Sequence, residues 1–154
     1  TVPQYIVQEI NTLGGDIHDA YGIKKEQLKE VSKLGIRKIN VDTDIRLAVT
    51  RNLRELFKNE PELREKTSIS GIYQLLLANP SAFDPRVFLP PIMNTVMYGD
   101  VPDEDIGCIV DCIERGVKEV VGTLIVEFDS VGKAPLIENV SLDEMAERYR
   151  AKGI

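Results

Sequence analysis

The run with the clearest chemical potential is KINVDTDIRL at positions 38–47. Polar and apolar side chains alternate up to Asp42 and then take a helical spacing, so the run predicts a strand that leads straight into a helix. The first amides of a helix lack acceptors and carry partial positive charge, so they can hold a phosphate without a lysine or arginine. Thr43 adds a hydroxyl at this junction. The spacing is therefore compatible with an anion site at the start of the helix.

Two carboxylates, Asp42 and Asp44, flank Thr43 and would repel an anion if they faced it. They fit an anion site if the backbone N–H groups face the ligand while the carboxylates cap the helix or pair with the basic residues at 37, 38 and 46. Plain N-capping of a helix that follows a strand is the simpler explanation from spacing alone. Asn40, on the same strand face, could bond a ligand oxygen or serve as a buried structural amide.

The elements that position these residues are mostly helices. Apolar spacing, prolines, glycines and caps predict helices over Val2–Leu13, Lys24–Leu34, Thr43–Phe57, Ile69–Ala78, a start at Asp84-Pro85-Arg86, a long helix from Pro102 and Asp103 to Phe128, and a last helix from the capping box Ser141–Glu144 to Tyr149. In the second helix the predicted buried stripe is Leu28, Val31 and Leu34, with Gly35 as a left-handed cap.

The one predicted strand covers about 36–42, and a single strand cannot build a sheet because its backbone groups need neighbours. Two explanations remain at this point. Either the chain is all-α and the strand prediction is wrong, or the chain is part of a larger α/β unit. The order helix, strand, helix favours the second, because ligand-contacting residues of (β/α) barrels lie at the carboxyl ends of strands.

Length, charge and cysteines limit the class of protein. The 154 residues carry a net charge of −6 with a pI near 4.9, which argues against a nucleic-acid or anionic-membrane surface. No apolar run has the ~20 residues of a bilayer span, and the N-terminus lacks a signal pattern. Cys108 and Cys112, four apart in a helical pattern, are expected to be reduced and at least half-buried. We therefore expect a cytoplasmic protein.

Several motifs together resemble one known family. GGDIHDAYGI, GIRKINVDTDIRLA, NPSAFDPRVFL, a late GKA and VSLDEMAERY, in this order and approximate spacing, resemble the C-terminal half of class II fructose-1,6-bisphosphate aldolases. The resemblance covers most of 1–49, 79–89 and 132–149. It implies a zinc-dependent (β/α)8-barrel lyase that reversibly joins dihydroxyacetone phosphate to glyceraldehyde 3-phosphate. This chain would then be the C-terminal part of a TIM barrel, mostly helical, with one barrel strand at about 36–42.

The resemblance also implies roles for four residues. Asn40 would lie at the end of the eighth barrel strand and contact the bound ketose or its enediolate. Asp42 and Thr43 would form part of the dihydroxyacetone-phosphate pocket, Thr43 through its hydroxyl and its backbone N–H. Arg86 would reach across a subunit interface to the other substrate phosphate, a task that suits a bidentate guanidinium. The implied partners are the sugar bisphosphate, the N-terminal half of the barrel and further subunits of a homo-dimer or tetramer.

The metal and the catalytic acid of the family would lie upstream of Thr1, so this chain is expected to supply no zinc ligand and no catalytic residue. His18, its only histidine, is expected to be a surface residue. One imidazole could not assemble the usual three-ligand catalytic zinc site. The chain alone is accordingly expected to be inactive.

The sequence departs from the family pattern at two places, Lys58–Ser70 and roughly 95–114, which look inserted. We divide the chain into the last barrel units, 1–57, and a helical extension for oligomerisation, 58–154. Asn40, Asp42 and Thr43 should line a cleft whose other wall lies outside this chain. The alternatives are a non-catalytic helical interaction module, or an aldolase for tagatose 1,6-bisphosphate.

Overall fold

The computed structural model describes residues 1–99 and 103–153, and across them the regular structure is helical. The seven α-helices are α1 (Gln4–Thr12), α2 (Lys25–Lys33), α3 (Thr43–Asn59), α4 (Ser70–Ala78), α5 (Pro90–Tyr98), α6 (Glu104–Glu127) and α7 (Leu142–Ala151). Short 3-10 turns lie at Pro61–Glu65, Pro85–Val87 and Ala134–Leu136. The helix predicted at Asp84-Pro85-Arg86 is thus only a turn, and α5 follows it. Pro102, predicted to open the long helix, lies outside the described residues, and Asp103 caps that helix by accepting from the Asp105 amide at 2.8 Å.

The predicted strand at about 36–42 is not confirmed, because this segment has no regular secondary structure and no strand occurs in the described parts of the chain. A strand needs a second strand to satisfy its N–H and C=O groups, and none of these residues offers one. The apolar side chains around it remain uncovered. Ile36 is 48% exposed and Leu34 is 84% exposed.

The main core lies where α3 packs against α6, α4 and α5. Leu53 and Phe57 of α3 meet Ile109 of α6, and all three are almost completely buried. Gly116 allows the close approach of the two long helices, since a Cβ there would lie 3.1 Å from the Ala48 backbone. Close packing of α3 against α6 is therefore the reason for a glycine at this position.

A second cluster joins α1 to the start of α3. Ile6 and Ile10 of α1 pack with Leu47 of α3 and Val120 of α6. Through this cluster the N-terminal end of α3 is held between α1 and the second half of α6.

The helices α2 and α7 are only loosely attached. Leu28 of α2 is buried, but Leu34 is exposed, so the prediction of a continuous buried stripe was wrong at that position. Gly35 has the expected left-handed backbone, with φ of +105°. In α7 no residue is buried, although Ser141 caps it as predicted by accepting from the Glu144 amide. None of the described helices has the length and apolar character to cross a bilayer.

Candidate functional site

A cleft of about 370 Å³ opens beside the N-terminus of α3. Its walls come from the loop after α1, from Thr43 and Leu47 of α3, and from Ser81 and Phe83 of the loop before the Pro85 turn. Thr43 is half-buried and is the first residue of α3. The predicted hydroxyl therefore stands at a helix N-terminus that borders a cleft.

The Asp42 carboxylate is turned away from the α3 amides. Asp42 is the N-cap residue, yet its side chain makes no capping hydrogen bond. Instead it receives two bonds from the Arg46 guanidinium, Nε to Oδ1 and Nη2 to Oδ2, each at 2.7 Å. The first α3 amides are thus left without a side-chain acceptor from Asp42. Of the two explanations for this residue, N-capping and diversion to a basic neighbour, the structure shows the second.

The Asp44 carboxylate is also engaged elsewhere. Asp44 is buried, with 4% of its surface exposed, and its Oδ2 accepts a hydrogen bond from the Thr1 hydroxyl. Its Oδ1 is buried without a hydrogen-bond partner among the described residues. Neither carboxylate therefore competes for the amides at the start of α3.

Arg46 extends this arrangement to Asp84 and Arg86. Its Nη1 lies 2.5 Å from Asp84 Oδ2, while Arg86 approaches the same carboxylate with Nε at 3.0 Å from both oxygens. The hydrogen bonds from Arg86 and the charge of Arg46 lower the pKa of Asp84 to about 2. Two predicted site residues, Asp42 and Arg86, are thus brought together through Arg46, one of the predicted partners of Asp42, and through Asp84, for which no such contact was predicted. The Arg86 side chain stays 77% exposed.

The loops of the cleft are fixed by polar side chains on α1 and α3, of which Thr50 and Arg54 are buried. The Asn11 side chain bonds both backbone groups of Ile17, at 2.8 and 2.9 Å. The Thr50 hydroxyl donates to the Phe83 carbonyl at 3.0 Å. Arg54 donates to the carbonyls of Gly14 and Pro80, which lie at the roots of two cleft loops. Sequence reasoning missed these three residues, although each is a polar residue adjacent to the apolar stripe of its helix.

The remaining predicted residues lie outside the cleft or at its mouth. Asn40 and Asp42 are exposed and do not line the cleft, so of the three residues predicted to line one, Thr43 alone lies in its wall. His18 lines the cleft mouth, where its Nε2 lies 2.5 Å from Asp16 Oδ1 and its side chain is 72% exposed, so its prediction as a surface residue is confirmed.

No described part of the chain gathers three His, Cys, Asp or Glu side chains in a position to hold a metal ion. The two cysteines are free thiols, Cys108 half-buried and Cys112 buried, as predicted. Burial raises the pKa of Cys112 to about 11, which makes it a poor metal ligand and a poor nucleophile. The described residues around Thr43 thus offer backbone amides and a hydroxyl to a ligand, and no three-ligand metal cluster lies among them.

Comparison with known proteins places these features in context. The sequence profile described as fructose-bisphosphate aldolase class-II matches residues 6–133. The fructose-bisphosphate aldolase of Xanthobacter flavus is 34% identical over 149 residues, which are 97% of this chain and 31% of that protein. That of Nostoc sp. is 33% identical over 153 residues, 99% of this chain and 31% of the relative. That of Thermus caldophilus is 35% identical over 133 residues, 86% of this chain and 30% of the relative. The chain thus spans about a third of the length of these relatives.

Proposed function

The chain belongs to the class II fructose-bisphosphate aldolase family, and we propose that it supplies the substrate-phosphate side of an active site completed by other parts of the full enzyme. The reaction is the reversible aldol cleavage of fructose 1,6-bisphosphate to dihydroxyacetone phosphate and glyceraldehyde 3-phosphate. The observation that carries this proposal is the diversion of Asp42 and Asp44, which leaves the α3 N-terminus open to an anion beside Thr43.

One phosphate of the sugar binds at this N-terminus. The amides of the first turn and the helix dipole favour a doubly charged group there. Thr43 adds a hydroxyl donor, and Asp42, held by Arg46, keeps its carboxylate clear of the phosphate. Binding at this point would fix the position of the ketose relative to the rest of the active site.

Asn40 contacts the ketose or its enediolate once segment 36–42 pairs with the remainder of the barrel. The irregular backbone of this segment and the exposed side chains of Leu34 and Ile36 support such pairing, because both features leave unsatisfied surface at the same place. In this arrangement residues 1–57 form the last barrel units. Residues 58–154 form a helical extension that shares its core with α3.

Arg86 binds the second phosphate in a neighbouring subunit of a dimer or tetramer. Its guanidinium is 77% exposed and, among the described residues, pairs with Asp84. It can therefore exchange Asp84 for a phosphate, which offers a stronger bidentate partner. The acidic balance of the chain supports a small anionic substrate bound in local pockets rather than a nucleic acid or membrane partner.

Zinc is the metal that the family uses to polarise the substrate ketone and stabilise the enediolate. The described residues of this chain do not fit that role, because no three-ligand cluster lies among them and the one histidine is exposed. We therefore assign the zinc ligands and the catalytic acid to the remainder of the enzyme. The two free thiols support a cytoplasmic location.

A chimera tests the proposal. This chain replaces the matched region of the Xanthobacter flavus relative, and cleavage of fructose 1,6-bisphosphate is measured with zinc present. We expect activity in the chimera and none in the chain alone. Thr43→Val should raise KM at least tenfold through loss of a hydroxyl bonded to a charged group, while Thr123→Val, whose hydroxyl bonds within α6, should leave KM unchanged.

A folded chimera without activity would instead favour the non-catalytic helical module. Equal effects of the two threonine substitutions would argue against Thr43 as a phosphate ligand. Tagatose 1,6-bisphosphate, assayed in parallel, separates the two sugars.

A further inference from the structure

A second pocket, of about 190 Å³, lies near the C-terminal end of α3. Three basic side chains line it, Arg54, Lys58 and Arg64, together with the Tyr73 ring and apolar residues of α1, α3 and α4. No carboxylate lines this pocket. In a chain with a net charge of −6, a pocket with three cations and no acid is an unusual concentration of positive charge.

Arg54 is the deepest of the three cations and has no carboxylate partner among the described residues. It is 5% exposed, and its Nη atoms donate only to backbone carbonyls, at 3.1 to 3.4 Å. Its Nε is buried with no hydrogen-bond partner. Burial alone lowers the pKa of this guanidinium. A buried charge without a counter-charge is costly, and a bound anion would remove that cost.

The other two cations are placed where an anion could reach them. Arg64 is held in position by its Nε bond to the Phe57 carbonyl at 2.6 Å and by stacking 5.2 Å from the Tyr73 ring centre. Lys58, in the last turn of α3, is exposed and makes no ion pair with any described residue. A held guanidinium loses little conformational entropy when it binds, so this arrangement is suited to a ligand.

We propose that this pocket binds a phosphate group, either free phosphate or the phosphate of a small organic ester. Arginine pairs match the geometry of phosphate oxygens, and the volume exceeds that of one water, about 30 Å³, by severalfold. The apolar wall of Phe57, Leu76 and the Tyr73 ring would contact the organic part of an ester.

This pocket is separate from the cleft at Thr43, since the two share no lining residue. One of its walls is the 3-10 turn Pro61–Glu65, within the segment that looks inserted relative to the family motifs. Arg54 also holds the Gly14 and Pro80 carbonyls, so a ligand here would stabilise the roots of the cleft loops.

The test uses inorganic phosphate and phenyl phosphate on the intact chain carrying Thr43→Val, which suppresses binding at the cleft. Amide NMR shifts and thermal unfolding are followed at constant ionic strength, with chloride as the reference salt. We expect saturable shifts at Leu13, Gly14, Lys58, Arg64 and Tyr73, and a concentration-dependent rise in Tm. Tighter binding of phenyl phosphate would identify an organic ester as the ligand, and equal binding would identify free phosphate.

Substitutions complete the test. Lys58→Ala should weaken binding about tenfold and Lys58→Arg should preserve it, while the double variant Lys58→Ala/Arg64→Gln should abolish the shifts. The pair Lys118→Ala/Arg148→Gln makes the same charge change at exposed sites of α6 and α7 and should leave binding intact. The proposal fails if the shifts of the Thr43→Val chain without further substitutions do not saturate, or if Lys58→Ala and the surface pair weaken binding equally.

Discussion

At the scale of single residues, the central feature is that Arg46 holds both Asp42 and Asp84. Sequence reasoning could place Thr43 at a helix start and could name Arg46 among possible partners of Asp42, because residues four apart on a helix are neighbours. It could not find the contact of Arg46 with Asp84, which is 38 positions away. Nor could it find Arg54 as a clamp on the Gly14 and Pro80 carbonyls, since those partners become adjacent only after folding.

The pKa of Asp84 provides a direct check of this ion-pair network. Its folded value of about 2 lies below the ordinary 3.8, so the carboxylate stabilises the fold above about pH 4. That stability is lost as the pH falls towards 2. We expect Arg86→Ala to raise the Asp84 pKa from about 2 towards 3.8, and Arg46→Gln to raise it less, as followed by NMR titration of the carboxyl carbon.

Asp84→Asn removes the charge at the centre of the network. Its control is Glu147→Gln, at an exposed acid of α7 that has no ion-pair partner in the described residues. Asp84→Asn should lower stability at pH 6 and flatten the loss between pH 4 and 2. An unchanged pH profile would show that the network is not formed in solution.

At the scale of elements, the helices were largely predictable and the segment between α2 and α3 was not. The apolar spacing of α3 and α6 fixes their buried faces by itself, and the caps at Asp103 and Ser141 were evident from residue type. The alternation in Ile36–Val41 is a strand signal, but a strand forms only with a partner. The prediction that Leu34 is buried was wrong for the same reason. The described residues supply no surface that covers it.

Substitution of two glycines of α6 distinguishes the effect of close helix packing on stability from the effect of helix propensity. At Gly116 a larger side chain would meet the Ala48 backbone, so Gly116→Val should lower the free energy of unfolding by about 1–3 kcal/mol. At Gly122 a Cβ would meet nothing within 4 Å, so Gly122→Ala should raise that free energy by up to about 1 kcal/mol. Urea unfolding of both variants measures the difference. Two shifts of the same sign would contradict the close approach of α3 and α6.

At the scale of the whole molecule, the chain has a well-packed core, but apolar side chains are exposed on part of its surface. The buried clusters lie around α3. Exposed apolar residues flank α2, at Ile23, Leu34 and Ile36, and others lie along α5 and the last turns of α6. Membership of the aldolase family explains this distribution, since the matched relatives are about three times longer. Composition alone could not indicate it, because the chain has the hydrophobic content of an ordinary single domain.

A substitution at the exposed Leu34, next to α2, should weaken binding to the N-terminal part of the enzyme without changing the fold of this chain. Leu34→Asp should leave the far-UV circular dichroism unchanged but weaken binding to the separately expressed N-terminal part of the Xanthobacter flavus relative at least tenfold. Leu142→Asp, at a 90% exposed position of α7, is the matched control and should bind normally. Isothermal titration calorimetry measures both. Equal binding by the two variants would show that Leu34 does not lie in the interface.

The close contact between Gly116 and Ala48 has a consequence for how far this enzyme can be shortened. Because α6 packs along the apolar face of α3, cutting the polypeptide after residue 57 would expose that face to water. The N-terminal end of α3 would then lose the helix that packs against it, although every motif around Thr43 would remain in the sequence. The helices that follow residue 57 are therefore needed to keep α3 packed, and neither part of the chain can be removed without exposing the core of the other.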